Sequence, residues 1–168
     1  VILLRNMLRT VLTGGLSVRR IYQLLTVFTL LIPVVYGAYL VVTMARQNLS
    51  FNTLLISHPL YSVMFLVVLL DVIWSYLMFV VSDDFTSPEG RKYIYGLLFL
   101  MAVSQLAIGN IVIAIMAGFI LVNMNGTLRQ ALALATFKRH RLYSFFAVGL
   151  VFLSALCCYA LIRITFFV

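Results

Sequence analysis

Apolar positions along the chain gather into four long runs, residues 21–45, 60–81, 93–124 and 142–168, separated by short polar links. Crossing a bilayer core takes about 20 predominantly apolar residues. The run Tyr93–Met124, YIYGLLFLMAVSQLAIGNIVIAIMAGFILVNM, carries no charge and exceeds that length, with the other runs on either side of it. The pattern predicts an all-α integral membrane protein: a four-transmembrane-helix bundle that forms one membrane domain over residues 1–168. Ahead of the first span, residues 1–20 place Leu4, Met7, Leu8, Val11 and Leu12 at helical spacing, with Arg5 and Arg9 a turn apart on another face. Such a segment lays its apolar side into the acyl boundary and its arginines among phosphates, so it reads as an amphipathic interfacial N-terminal helix ended by Gly14-Gly15.

Local residues refine the spans. Pro33 should kink the first, Gly37 should allow a close helix contact, and Tyr36 or Tyr39 can anchor at the interface. Ala114 and Gly118 form a small-xxx-small pair that predicts a packing face. The polar links are Arg46–Pro59, which contains an Asn48-Leu49-Ser50 glycosylation triplet, and Ser82–Lys92, where Pro88-Glu89-Gly90 supplies turn chemistry. Asn125–Arg141 is helix-prone and basic at its end, a second interfacial candidate. The first strong apolar run is too long for a signal-peptide core, and no A-x-A-like site follows it.

Four simple crossings distribute charge almost evenly. Arg5, Arg9, Arg19, Arg20, Arg91 and Lys92 fall on one side, against Arg46, Arg129, Lys138, Arg139 and Arg141 on the other. Membrane proteins instead concentrate Lys and Arg on one side. A re-entrant central run that turns at Gly109-Asn110, both tolerant of left-handed backbone, would leave Arg46 as the sole exception. Its arms, Tyr93–Ile108 and Ile111–Asn123, are too short to span. Against it, non-helical backbone at membrane depth needs protein cover. A single long, tilted helix is the expectation carried forward, with the helix break as its alternative.

Composition agrees with a membrane location. The 168 residues are 64% hydrophobic and 10% charged, where soluble domains carry about 25% charge. The +8 net charge would suggest nucleic acid in a soluble protein. Here the cations flank apolar runs, so Arg5, Arg9, Arg19, Arg20, Lys138, Arg139 and Arg141 are expected to contact anionic lipid headgroups, and no nucleic acid is expected. Adjacent Cys157 and Cys158 within a span read as small buried hydrophobes. His58 and His140 fall outside the spans with no ligand partners at useful spacing. No G-x-S-x-G, H-E-x-x-H or P-loop pattern occurs. No metal, cofactor or catalytic residue is expected, and the chain reads as a non-enzyme.

One polar site stands out. Asp71 sits near the midpoint of the second run, where a charged carboxylate costs about 2.5–3.5 kcal/mol on insertion and must be paired or protonated. Ser104, Gln105 and Asn110 pass at about the same depth, about 16 Å from the entry side at 1.5 Å per residue. Gln105 is the expected partner. Arg163 lies about 15 Å deeper, too far for an ion pair. Asp71, Ser75, Ser104, Gln105 and Asn110 form the predicted intramembrane polar cluster. It reads either as a proton- or cation-responsive carboxylate or as helix glue, with Asp71 bonded to Gln105 or to Ser75 one turn along.

The run SHPLYSVMFLVVLL, followed by a Gly-interrupted helix ending in VNMN, resembles subunit 6 of proton-pumping NADH dehydrogenase over about a third of the chain. That family has an Asn-Pro-x-x-Ser-Val opening before its second helix and a bulged third helix. Its Tyr-Val-Gly-Ala segment and fifth helix have no counterpart here, and no residue role is carried over. Two functions are therefore expected, in this order: a non-enzymatic accessory or interaction subunit of a membrane complex, and a transporter- or channel-like homo-oligomer moving protons, ions or a small solute past Asp71. A bacterial inner membrane is the expected location.

Overall fold

The computed structural model of the protein describes residues 17–124, Thr127, Arg129 and 140–167. Arg5, Arg9, Lys138 and Arg139, and with them most of both predicted interfacial helices, lie outside the described residues. Every regular element described is helical: α1 (Val18–Gln47), α2 (Phe51–Ser57), α3 (Pro59–Val81), a 3-10 turn (Ser82–Thr86), α4 (Pro88–Ala107), α5 (Ile111–Asn123) and α6 (Arg141–Phe167). Three helices among the described residues are long and apolar enough to cross a membrane, those starting at Val18, Pro59 and Arg141.

Caps set the boundaries. Ser17 caps α1, its hydroxyl accepting from Arg20 N–H, so Arg19 and Arg20 belong to the first turn of the long helix rather than to a preceding interfacial one. Helix α1 continues on both sides of Pro33 and ends on Asn48, whose φ of 52° is left-handed. Ser50 then caps α2, a short helix inside the polar link Arg46–Pro59. The glycosylation-like triplet thus has a local structural role at both ends. Ser87 caps α4, with Pro88 in its first turn, so this helix begins ahead of the apolar run.

The central run is not one helix. Helix α4 stops at Ala107, and α5 starts at Ile111 and packs back along α4. The reversal is a Schellman turn: Asn110 N–H reaches Gln105 C=O at 2.9 Å, Gly109 N–H reaches Leu106 C=O at 3.2 Å, and Gly109 takes φ 79°. A Cβ at Gly109 would meet no atom within 4 Å, so the glycine is there for its backbone angle and not for space. At 1.5 Å per residue α5 measures about 20 Å, short of a bilayer core of about 30 Å. The expectation of a single tilted crossing is therefore corrected to a helical hairpin, and among the described residues three helices, not four, are long and apolar enough to span.

Cover for the hairpin comes from the ring in which it sits. Direct packing joins α1 to α3, α3 to α6, α6 to α4, α4 to α5 and α5 to α1. Helix α4 is buried along its length, from Gly90 through Tyr93, Leu97 and Met101 to Gln105. Helix α5 buries Ile113, Ala114, Ala117 and Ile120, whereas Gly118 and Gly37, both expected at close contacts, face open space. At its start α4 is pinned to the 3-10 turn, where a Cβ on Gly90 would fall on the Asp84 carbonyl and 2.7 Å from Ser87 Oγ.

One end of the ring collects the basic residues. A hollow of about 480 Å³ there brings Ser17 and Arg19 of α1 together with Phe85, Arg91, Asn123 and Met124, so α5 ends where α1 and α4 begin. His140, just before α6, places Nε2 2.7 Å from Asp84 Oδ2, a pairing that sequence spacing did not reveal. Arg19 approaches exposed Asp83 at 3.7 Å, a surface pair of small energetic value. Arg46 closes the opposite end of α1.

Candidate functional site

Helix α3 carries a stripe of Asp71, Trp74, Ser75 and Met78, one face of a helix at i, i+3, i+4 and i+7, and each residue binds a different neighbour. Tyr22 of α1 donates to the Met78 carbonyl at 2.6 Å. Ser75 Oγ donates to the Thr26 carbonyl of α1 at 3.0 Å, so the expected alternative bond between Ser75 and Asp71 is not made. The α1 backbone is close enough to take the hydroxyl away.

Trp74 and Asp71 reach toward α4. Trp74 Nε1–H donates to Ser104 Oγ at 3.0 Å, and Ser104 Oγ lies 2.6 Å from Ser154 Oγ on α6. Ser154 in turn donates to the Leu150 carbonyl at 2.8 Å. With the indole supplying a proton at one end and the carbonyl accepting at the other, the order of donors is fixed: Trp74 to Ser104 to Ser154 to Leu150. Ser104 thus belongs to a three-helix clamp beside Asp71 and makes no bond to it. Sequence reasoning missed Trp74 and Ser154; their shared depth with Ser104 was the available signal.

Asp71 is fully buried, and its Oδ1 accepts from Gln105 Nε2 at 2.6 Å. Gln105, named on depth alone, also gives its backbone carbonyl to the Schellman turn. The turn geometry and the carboxylate are therefore mechanically linked through one residue. Two acceptors remain: Asp71 Oδ2 and Gln105 Oε1 are buried without a hydrogen-bond partner among the described residues. Buried polar atoms in native proteins are nearly always paired, and leaving one unpaired costs about 1–3 kcal/mol. What the site lacks is a donor.

Asp71 also forms part of the wall of a crevice of about 680 Å³. Its walls are Phe28, Ile32, Tyr36 and Tyr39 of α1, Met64 and Val67 of α3, and Ile108, Gly109, Asn110, Val112 and Ile113 at the hairpin tip. Asn110 forms no side-chain cap on α5. Among the described residues the lining contains no lysine or arginine. The crevice exists because the hairpin turns back at Gly109, leaving unfilled the space between α1 and α3 beyond it. Tyr36 OH reaches the Tyr61 carbonyl at 3.2 Å and Tyr39 OH lies 3.4 Å from Tyr61 OH, tying α1 to α3 at its mouth.

Among the described residues, no group of three or more His, Cys, Asp or Glu side chains could hold a metal ion. Cys157 is buried and both cysteines are free thiols. In comparison with known proteins, no family model, no curated protein and no solved structure matches the chain. The resemblance to subunit 6 of NADH dehydrogenase accordingly contributes nothing to these assignments.

Proposed function

We propose that the chain is an integral membrane protein of transport type that takes up a cation, in the simplest case a proton, at Asp71 from the crevice. The observation that carries this reading is that fully buried Asp71, whose Oδ2 has no hydrogen-bond partner among the described residues, forms part of the wall of the crevice that the short hairpin leaves. A carboxylate placed at mid-depth purely as glue would be expected to have both oxygens satisfied, as the Trp74–Ser104–Ser154 clamp is. Ionisable groups at membrane depth are costly to keep and mark proton or ion pathways by default. The other titratable groups of the crevice are the Tyr36 and Tyr39 phenols.

The hairpin also gives the chain a charge-asymmetric topology. Arg19, Arg20, Arg91, Lys92 and Arg141 gather at one end, with Arg46 and Arg163 toward the other. By the positive-inside rule the basic end faces the cytoplasm, with a bacterial inner membrane as the host, and the crevice lies toward the opposite leaflet. Anionic headgroups are the partners proposed for the basic end.

A second reading keeps the protein as a non-enzymatic accessory subunit, alone or as a homo-oligomer. It draws on the thin burial of α1, of whose apolar window 17% is buried. Proteoliposomes with an internal pH-sensitive dye separate the two. A proton gradient should dissipate faster with the wild-type chain than with empty vesicles, and Asp71→Asn should return it to the empty-vesicle rate. Equal rates for all three would remove proton transport and favour the accessory role.

A further inference from the structure

The crevice is far larger than a proton needs. Its volume of about 680 Å³ falls in the range of about 300–1,000 Å³ typical of small-molecule sites. We propose that it binds a hydrophobic amine in its protonated form, with the ammonium group against Asp71 and the carbon skeleton between α1, α3 and the hairpin tip. The proposal rests on reading Asp71 as the cation-loading group and names the class of cation.

Four features select this chemistry. Asp71 is the one acid on the wall, and the lining has no lysine or arginine to oppose a positive charge. An anionic headgroup or carboxylate would meet Asp71 with like charge and no compensating cation. The Asp71–Gln105 pair has two acceptors without a donor, and an ammonium brings several N–H donors where an alcohol brings one. Phe28, Tyr36 and Tyr39 line the crevice from α1; Tyr36 and Tyr39 meet Tyr61, about 15 Å along α3 from Asp71, so their rings face the carbon skeleton and not the ammonium. A hard metal ion finds too few oxygens, because Ca²⁺ or Mg²⁺ requires about six. The remaining walls are aliphatic: Leu31, Ile32, Val35, Val67 and Ile113. They suit a hydrocarbon body and not a hydrated ion.

The test uses the full chain in phosphatidylcholine nanodiscs and three probes sharing one cage: 1-adamantylmethylammonium, 1-adamantylmethanol and 1-adamantanecarboxylate. Equilibrium dialysis against empty nanodiscs removes partition into lipid. The expected result is saturable binding of the ammonium at least tenfold tighter than the alcohol, with no saturable uptake of the carboxylate. Asp71→Asn should lower ammonium binding to the level of the alcohol while leaving the alcohol unchanged. Val112→Trp, which adds bulk to the α5 side of the crevice and leaves the carboxylate in place, should weaken both, and it carries the test if Asp71→Asn is not recovered folded. Equal binding of ammonium and alcohol by the wild type, or ammonium binding that survives Asp71→Asn, overturns the proposal. Asp71-dependent proton flux without saturable ammonium binding also overturns it and leaves proton transport standing. Asp71-dependent ammonium binding without flux upholds the site and removes transport.

Discussion

The two ends of the same helices are built differently. Toward the basic end, α1 buries Ile21, Tyr22, Leu25 and Thr29, α3 buries every turn from Val67 to Val81, and α6 buries Ser144, Ala147, Leu150, Ser154 and Cys157. Toward the other end burial thins to Leu40 and Thr43 of α1 and Leu54 of α2. Helix α1 has no buried residue between Thr29 and Leu40, α3 has none from Pro59 to Leu66, and α6 has none from Cys158 to Phe166. The composition of the helices does not change at these points, so the cause is the hairpin, which supplies inner neighbours only as far as Gly109. Beyond it the helices are joined by edge contacts: the Tyr36–Tyr39–Tyr61 cluster, Phe51 against Phe65 at 5.5 Å, and Leu54 of α2. One half is a packed core, and the other is a scaffold around an opening. Asp71 lies at the boundary.

The largest expected effect tests that division at its root and is all or none. In a Cys157/Cys158-free background, single cysteines placed at Arg19 and at Arg141 should react with a membrane-impermeant thiol reagent from the same side, and one at Asn52 from the other. Labelling of the Arg141 position from the Asn52 side would mean that residues 93–124 cross once, and the two-half architecture would fall with the hairpin.

Next comes the energetic contrast. Trp74 is fully buried and holds the Ser104–Ser154 clamp, so Trp74→Ala should cost about 3–5 kcal/mol in reversible unfolding in mixed micelles. Phe28 is of similar bulk and lines the crevice at 46% exposure. Its replacement by Ala should cost less than about 1 kcal/mol, in the range of surface substitutions. Comparable losses at both positions would mean that the crevice is closed by packing in the working protein.

How much of this could be read from the sequence follows from which forces act locally. The three long apolar helices were legible because hydropathy is a property of the residues themselves, and the ends of the first shift by only a few positions where Ser17 and Asn48 cap. The turn at Gly109-Asn110 was visible as a possibility from residue type and charge balance. Choosing it required knowing that α1 would pack on one arm of the hairpin and α6 on the other, which is a tertiary fact. Depth along a helix pointed to Gln105 because axial position is nearly fixed by residue number. It could not say which helix faces which, so Ser104 was grouped with Asp71 instead of with Trp74 and Ser154, and Ser75 was offered to Asp71 instead of to Thr26. The pairing of His140 with Asp84 escaped for the same reason: the two are brought together by the ring, with 56 residues of sequence between them.

The smallest expected change in stability is at the boundary itself, and its sign is informative. Asp71→Asn keeps the shape and keeps an oxygen for the Gln105 Nε2 bond, and it exchanges the unpartnered Oδ2 for an amide donor in a site that has spare acceptors. Removing an orphaned buried acceptor recovers part of a desolvation cost of about 1–3 kcal/mol, and interhelical hydrogen bonds in membranes average about 0.6 kcal/mol. Stability should therefore hold or rise by up to about 1 kcal/mol in the same mixed-micelle unfolding. A residue kept for packing should not improve stability when it is changed. A rise together with lost cation uptake would show that the aspartate is retained at the expense of the fold. A loss well above 1 kcal/mol would instead make Asp71 a structural tie between α3 and α4, and would move the boundary between core and opening past it.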